Sequence, residues 1–274
     1  MSSLYPQRKF GRRPPKNAPA LQLASFLTGA VPDHPASEDY LSRLGNWQML
    51  GNDQYSDCVA VTWANIRRLV TATLATEYYP TLDQVLALYK TQNPFFPTED
   101  NGMDIQTCLE YLHYFGGPDG VKVVAFAKVN FSDLNEVKAA LAIFGCIWIG
   151  LNLQQANMTG LGDNQPWDYV NGSPNEGGHS VIGGGYLGTS VDDVRFITWA
   201  QEIGCTDNYW GHQVEEAWVA IWPEHLGTTE FEQGINLQQL ATDYQELTGD
   251  TLQTTPQPGC LAALLQTLLG TSNK

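Results

Sequence analysis

Residues 52–74 read Asn-Asp-Gln-Tyr-Ser-Asp-Cys-Val-Ala-Val-Thr-Trp-Ala-Asn-Ile-Arg-Arg-Leu-Val-Thr-Ala-Thr-Leu. A polar, turn-forming lead ends at Cys58. Val59, Trp63, Ile66, Val70 and Leu74 then recur at three-to-four spacing, the period of a half-buried helix. Ser56 or Asp57 is a candidate cap, so a helix is expected from Cys58 to about Thr76 with a cysteine in its first turn. A thiol there feels the positive helix end, which favours thiolate. Asp57 opposes that shift, and an inert cysteine packed under the helix is the plain alternative.

Outward from this helix the first half stays helical. Thr81-Leu82-Asp83-Gln84 is a capping-box pattern opening a second helix through about Tyr89. Asp104 precedes Ile105, Cys108, Leu109, Leu112 and Phe115, a third amphipathic run stopped by Gly116-Gly117-Pro118. A fourth helix is expected from Ser132, carrying Leu134, Val137, Leu141 and Phe144. The period then changes: Val121–Ala127, Cys146–Leu153, His179–Leu187, Val194–Trp199 and Ala217–Trp222 are short β-branched or aromatic runs. Helices in the first half and strands in the second predict an α+β fold with segregated layers. One more helix is expected over Ile235–Leu247, followed by a Thr-Thr-Pro-Gln-Pro-Gly linker and a Leu-rich stretch.

Composition narrows the function. Of 274 residues, 43% are hydrophobic and 16% charged, against about 25% charged in an average domain, which excludes a disordered chain. No run of 18 apolar residues is present, which predicts no membrane span, and no apolar h-region marks a secretory signal. Residues 1–32 hold Arg8, Lys9, Arg12, Arg13 and Lys16 without an acid, whereas the rest sets nine basic against 29 acidic residues. Such a body repels phosphate backbones, so no nucleic-acid partner is expected. The five cysteines, at 58, 108, 146, 205 and 260, form no CxxC pair and no metal-ligand spacing. Their odd number leaves a free thiol and favours a reducing, cytoplasmic setting.

Among the histidines, His179 stands apart. It follows Asn175-Glu176-Gly177-Gly178 and opens the strand His-Ser-Val-Ile-Gly-Gly-Gly-Tyr, where another element can reach it; an exposed strand-end histidine is the bland alternative. His34, His113, His212 and His225 lack comparable surroundings. Trp199, Trp210, Trp218 and Trp222 read as core and strand packing. The strand of His179 and the run Val194–Trp199 are joined by Gly-Thr-Ser-Val-Asp-Asp (188–193), so an antiparallel hairpin should return Thr198 to His179.

Together these residues resemble the papain-like cysteine peptidases. Asn-Gly-Met-Asp-Ile-Gln-Thr-Cys-Leu-Glu-Tyr-Leu (101–112) is similar to the glycine-led helix after that family's nucleophile helix. Glu136–Leu151 is similar to its helix-then-strand into the β-half, Gly178–Tyr186 to its histidine strand, and Ala217–Trp222 to its last strand. The likeness covers about residues 45–223, with His179 lying 121 positions beyond Cys58 against roughly 130–150 in familiar examples. It implies a helical half packed against an antiparallel β-half with a cleft between. Cys58 would be nucleophile, His179 its base and acid, Asn52 the oxyanion donor, and peptides or proteins the substrates, without metal or organic cofactor.

The departures are specific. The family's oxyanion glutamine lies six residues before the cysteine; here that position is Asn52, while Gln54 lies four before. Val59 replaces a tryptophan after the nucleophile, and the Asn-Ser-Trp that orients the histidine is missing. Thr198 is the favoured substitute, with Gln201 and Asn208 as alternatives. A catalytically inactive binding or structural protein of this fold, and a Cys–His acyl transferase or cell-wall peptide hydrolase, stay open beside the peptidase. The expected organisation is a basic arm (1–32), the Cys/His domain (33–225) and an acidic extension (226–274). The arm is expected to dock on the acidic body or on an acidic partner, salt-sensitively unless Leu21, Leu23 and Phe26 are buried. Its functional version covers the cleft as an inhibitory segment; a solvated arm is the alternative.

Overall fold

Alternation in one strand organises the molecule. Along Ile147-Trp148-Ile149, Trp148 packs with the helices that follow Cys58, while Ile147 and Ile149 join a second core on the other side, as a strand buried on both faces requires. The computed structural model describes residues 8–16, 18–29, 32–159 and 165–254; Cys260 and the C-terminal Leu-rich stretch lie outside them. In chain order the elements are β1 (Leu21–Gln22), α1 (Leu23–Phe26), β2 (Glu38–Asp39), α2 (Cys58–Leu74), α3 (Leu82–Lys90), α4 (Ile105–Tyr114), β3 (Ala125–Val129) and α5 (Leu134–Phe144). There follow β4 (Ile147–Gln154), α6 (Gln155–Thr159), β5 (Asn175–Thr189), β6 (Asp192–Thr198), β7 (Gln201–Gly204), α7 (Asp207–Gln213), β8 (Val214–Ile221), α8 (Thr229–Gly234) and α9 (Leu237–Thr248).

The sheet runs β1-β3-β8-β4-β5-β6-β7, with β2 also on β5. Its pairings are antiparallel apart from the parallel β1–β3 edge. One core joins α2, α3 and α4 to Trp148, Ile182, Ile197 and Trp218; the other holds α5, α8, α9 and α1 on the opposite face. This is an α+β fold with a helical half against a sheet. Arg67 on α2 ties the halves together: its Nε donates to Asp119 at 2.6 Å and its Nη2 to Glu224 at 2.7 Å.

Several boundaries differ from expectation. The helix begun by Cys58 ends at Leu74, and the strand expected from Val121 starts at Ala125, because Gly117 N–H takes the Val121 carbonyl and Val123 N–H the Leu112 carbonyl. The fourth helix starts at Leu134 under Asp133, whose carboxylate accepts from Asn135 N–H. The expected helix over Ile235–Leu247 is α9, capped by Asn236 and preceded by α8. Residues 21–26 are wound into the core: Leu21, Leu23 and Phe26 are buried and β1 pairs β3. No helix among the described residues is long and apolar enough to cross a membrane.

Candidate active site

Cys58 opens α2, and its first turn is clamped to β5. Thr62 donates to the Cys58 carbonyl at 2.8 Å, Ser180 to the Thr62 hydroxyl at 3.0 Å, and Trp148 Nε1–H to the Ser180 hydroxyl at 2.8 Å. The thiol therefore sits against the residue that follows His179. Helix position alone predicts a lowered thiol pKa; burial reverses it, and Cys58 is pushed up to about 12. The backbone N–H groups of Ser180 and Gly11 pull the other way, Asp57 adds to the rise and Arg12 reduces it. Asp57 occupies the cap position but makes no capping bond. Both its buried oxygens lack a partner among the described residues, and burial lifts its carboxyl to about 8.

His179 lies inside β5 rather than at its mouth, because pairing with β4 continues back to Gln154↔Asn175. It is fully buried, and burial followed by the nearby Arg12 charge lowers its pKa to about 3. In this structure Cys58 is thus a neutral thiol and His179 a neutral imidazole, with no hydrogen bond between them among the described residues. Continuing the β5–β6 register one step from Ile182↔Ile197 sets Thr198 opposite Val181, diagonal to His179 on the same face. His179 Nε2 and the Thr198 hydroxyl lie 2.9 Å apart. Nδ1 has no hydrogen-bond partner among the described residues, so Nε2 with Thr198 is the imidazole's hydrogen-bonded side.

Trp199 is buried in the core, as its sequence context predicts, and it also stacks on the imidazole with centroids 4.3 Å apart and 18° between planes. Its Nε1–H donates to the Asn52 carbonyl at 3.2 Å. That placement depends on the left-handed pair Trp199 (φ 44°) and Ala200 (φ 60°) between β6 and β7, which no local pattern announces. Asn52 is buried and its Oδ1 has no partner among the described residues, whereas Gln54 is exposed. Asn208 is exposed and donates to Asp168 at 3.0 Å, and Gln201 is exposed on β7.

The groove over this site is filled by the chain itself. Lys9 N–H donates to the Asn52 carbonyl at 3.4 Å; Gly11 and Arg12 N–H reach the Gly178 carbonyl at 3.2 and 3.1 Å. On the other wall Arg13 N–H donates to Met103 O at 2.8 Å and Met103 N–H to Gly11 O at 2.7 Å, a parallel bridge. Phe10 sets its ring edge against His179 and Trp199. Gly11 crosses where no side chain fits: a Cβ there would lie 1.9 Å from the Ser56 carbonyl oxygen. Cys58, Cys108, Cys146 and Cys205 are free and buried.

No protein-family model and no curated protein sequence matches the chain. Solved structures do. Xylellain, a cysteine protease from Xylella fastidiosa, superposes with a TM-score of 0.61 at 15% identity, over 80% of this chain and 99% of that one. Procathepsin B S9 from Trypanosoma congolense gives 0.51 at 12% identity, over 78% and 87%. The fold is that of the papain-like cysteine proteases.

Proposed function

We propose that the protein is a papain-like cysteine peptidase whose own N-terminal segment closes its groove. The observation that carries this reading is residues 9–13, an extended peptide bonded through its main chain to both walls, Gly178 and Met103, across Cys58 and His179. A groove that takes up a peptide through main-chain hydrogen bonds on both walls has the form a peptidase needs for its substrates. The parallel bridge to Met103 and the cover over the thiol make this occupant an inhibitor in place.

With the segment displaced, water reaches the site and the burial that holds thiol and imidazole neutral is relieved, so both shifts retreat toward ordinary values. The thiol proton passes to His179 Nδ1, with Nε2 steadied by Thr198. The sulfur attacks the amide carbonyl, forming an S–C bond while the oxygen takes the negative charge. The Cys58 backbone N–H and the Asn52 side chain serve that oxyanion. His179 then gives the proton to the leaving amine as the C–N bond breaks. Water, deprotonated by His179, hydrolyses the thioester and restores the thiol.

The test is hydrolysis of a fluorogenic peptide panel by protein carrying Gly11→Ala, with Gly11→Ala/Cys58→Ala as control. Cleavage only by the former supports the reading. Equal signals, or none from either while Cys58 alkylates readily, would favour a binding protein on this fold. The missing amide partner for His179 gives that second reading its one specific support.

A further inference from the structure

Arg12 is held by acceptors that β4 and β8 supply. Its side chain is 1% exposed. Nη1 donates to Glu216 Oε1 at 3.1 Å and to the Arg13 carbonyl at 3.3 Å; Nη2 donates to Asn152 Oδ1 at 3.2 Å, to the Leu151 carbonyl at 3.4 Å and to Glu215 Oε2. Adjacent strand residues ordinarily point to opposite faces. Here the β4–β8 register shifts between Gly150↔Glu216 and Leu151↔Val214, leaving Glu215 as the extra residue of a bulge. The bulge lets Glu215 and Glu216 aim at one point.

Each carboxylate is fixed by a group outside the arm. Glu216, 4% exposed, accepts from Trp218 Nε1–H at 2.8 Å, and Glu215 accepts from Asn152 Nδ2–H. Gly150 leaves the floor open: a Cβ there would meet Arg12 Cδ at 2.7 Å and Glu216 Oε1 at 2.7 Å. A buried carboxylate held ready without a cation is costly, so these groups form a site for a cation rather than an incidental contact. Several acceptors spread around two nitrogens fit a planar guanidinium fork and not a compact ammonium.

We propose that the Glu215–Glu216–Asn152 pocket is the side-chain specificity site of the groove, and that it selects peptides presenting arginine there once Arg12 has left. As a substrate preference this rests on the peptidase reading; as a binding preference it does not. The pocket opens beside the main-chain anchor Gly178, because the same residue that fills it donates its N–H to the Gly178 carbonyl. An arginine-bearing peptide therefore satisfies backbone and side-chain partners together, as residues 9–13 do.

The experiment uses the full chain carrying Gly11→Ala and Arg12→Ala, which empties pocket and groove. Peptides Lys-Phe-Gly-Xaa-Arg-Pro, with Xaa arginine, lysine, citrulline or leucine, are titrated as protectors of Cys58 against iodoacetamide. Arginine is expected to protect at a concentration at least about tenfold lower than the others, with the advantage lost when Glu216→Gln is added. Glu215→Gln, on the half-exposed side, gives the same test should Glu216→Gln impair folding. Equal protection by all four peptides, or a preference that survives both carboxamides, overturns the proposal. Fluorogenic peptides run alongside separate the two claims: no turnover with selective protection removes the peptidase reading and leaves the pocket standing.

Discussion

Gly11→Ala should open the groove. A methyl at Gly11 would sit 1.9 Å from Ser56 O and 2.3 Å from Ser56 C, backbone atoms anchored at the start of α2. The opposite wall gives no room, since a Cβ on Gly102 would already lie 2.0 Å from Gly11 O. The arm must therefore lift and lose the Gly11 N–H to Gly178 O and Met103 N–H to Gly11 O bonds. At about 1 kcal/mol each, or about 1–3 kcal/mol counted as overpacking, the closed state loses roughly 2 kcal/mol, equivalent to about thirtyfold in the open fraction. Since Leu21, Leu23 and Phe26 keep the following chain in the core, the fold should survive. The assay is the alkylation rate of Cys58, mapped by peptide mass spectrometry, with circular dichroism as the folding control. A folded variant whose Cys58 reacts no faster than wild type would mean that the arm does not cover the thiol.

Three further outcomes follow from the same geometry. Thr198→Val removes the hydroxyl beside His179 Nε2 and leaves a buried nitrogen unpaired, which should cost about 1–3 kcal/mol of stability; in the opened protein kcat should fall at least about tenfold with KM near its starting value, and a simple packing role would leave kcat alone. His179→Ala in the Gly11→Ala background should slow Cys58 alkylation near neutral pH, and an unchanged rate would mean that His179 does not activate the thiol. Asp57 tests the burial argument through pH: its folded pKa of about 8 lies above the unfolded value, so its stabilising contribution is complete below about pH 4 and is lost progressively up to about pH 8. Asp57→Asn abolishes that loss, so its stability advantage over wild type should grow by about 2–3 kcal/mol between pH 6 and pH 8; a pH-independent difference in urea unfolding would contradict it.

The fold was legible where one face of an element is buried and the neighbours are local. Val59, Trp63, Ile66 and Val70 mark α2 by spacing alone, and all are buried. Thr81 and Gln84 form the reciprocal capping bonds their pattern predicts. The hairpin from His179 through 188–193 follows from a short connection, and its pairing brings Thr198 to the imidazole. What sequence did not show depends on distant chain. Phe10-Gly11-Arg12 has no periodicity, and its position is set by walls as far as 204 residues away in sequence. Burial beneath that segment is why helix position mispredicts the thiol, raising Cys58 and lowering His179 so that both are neutral. Trp199 reaches His179 through two left-handed residues, and Glu215 reaches Arg12 through a bulge; both are departures from local regularity.

On the peptidase reading, Cys58 with His179 forms a covalent acyl intermediate with a carbonyl substrate once the arm lifts. Intact-mass and peptide-mapping spectrometry of the Gly11→Ala protein, quenched in acid within a single turnover of an activated peptide ester, reads this directly. One acyl group per chain is expected, located on Cys58, with a much slower appearance of that adduct in His179→Ala. Acylation spread over Cys108, Cys146 or Cys205, or an adduct on Cys58 that forms at the same rate without His179, would contradict it.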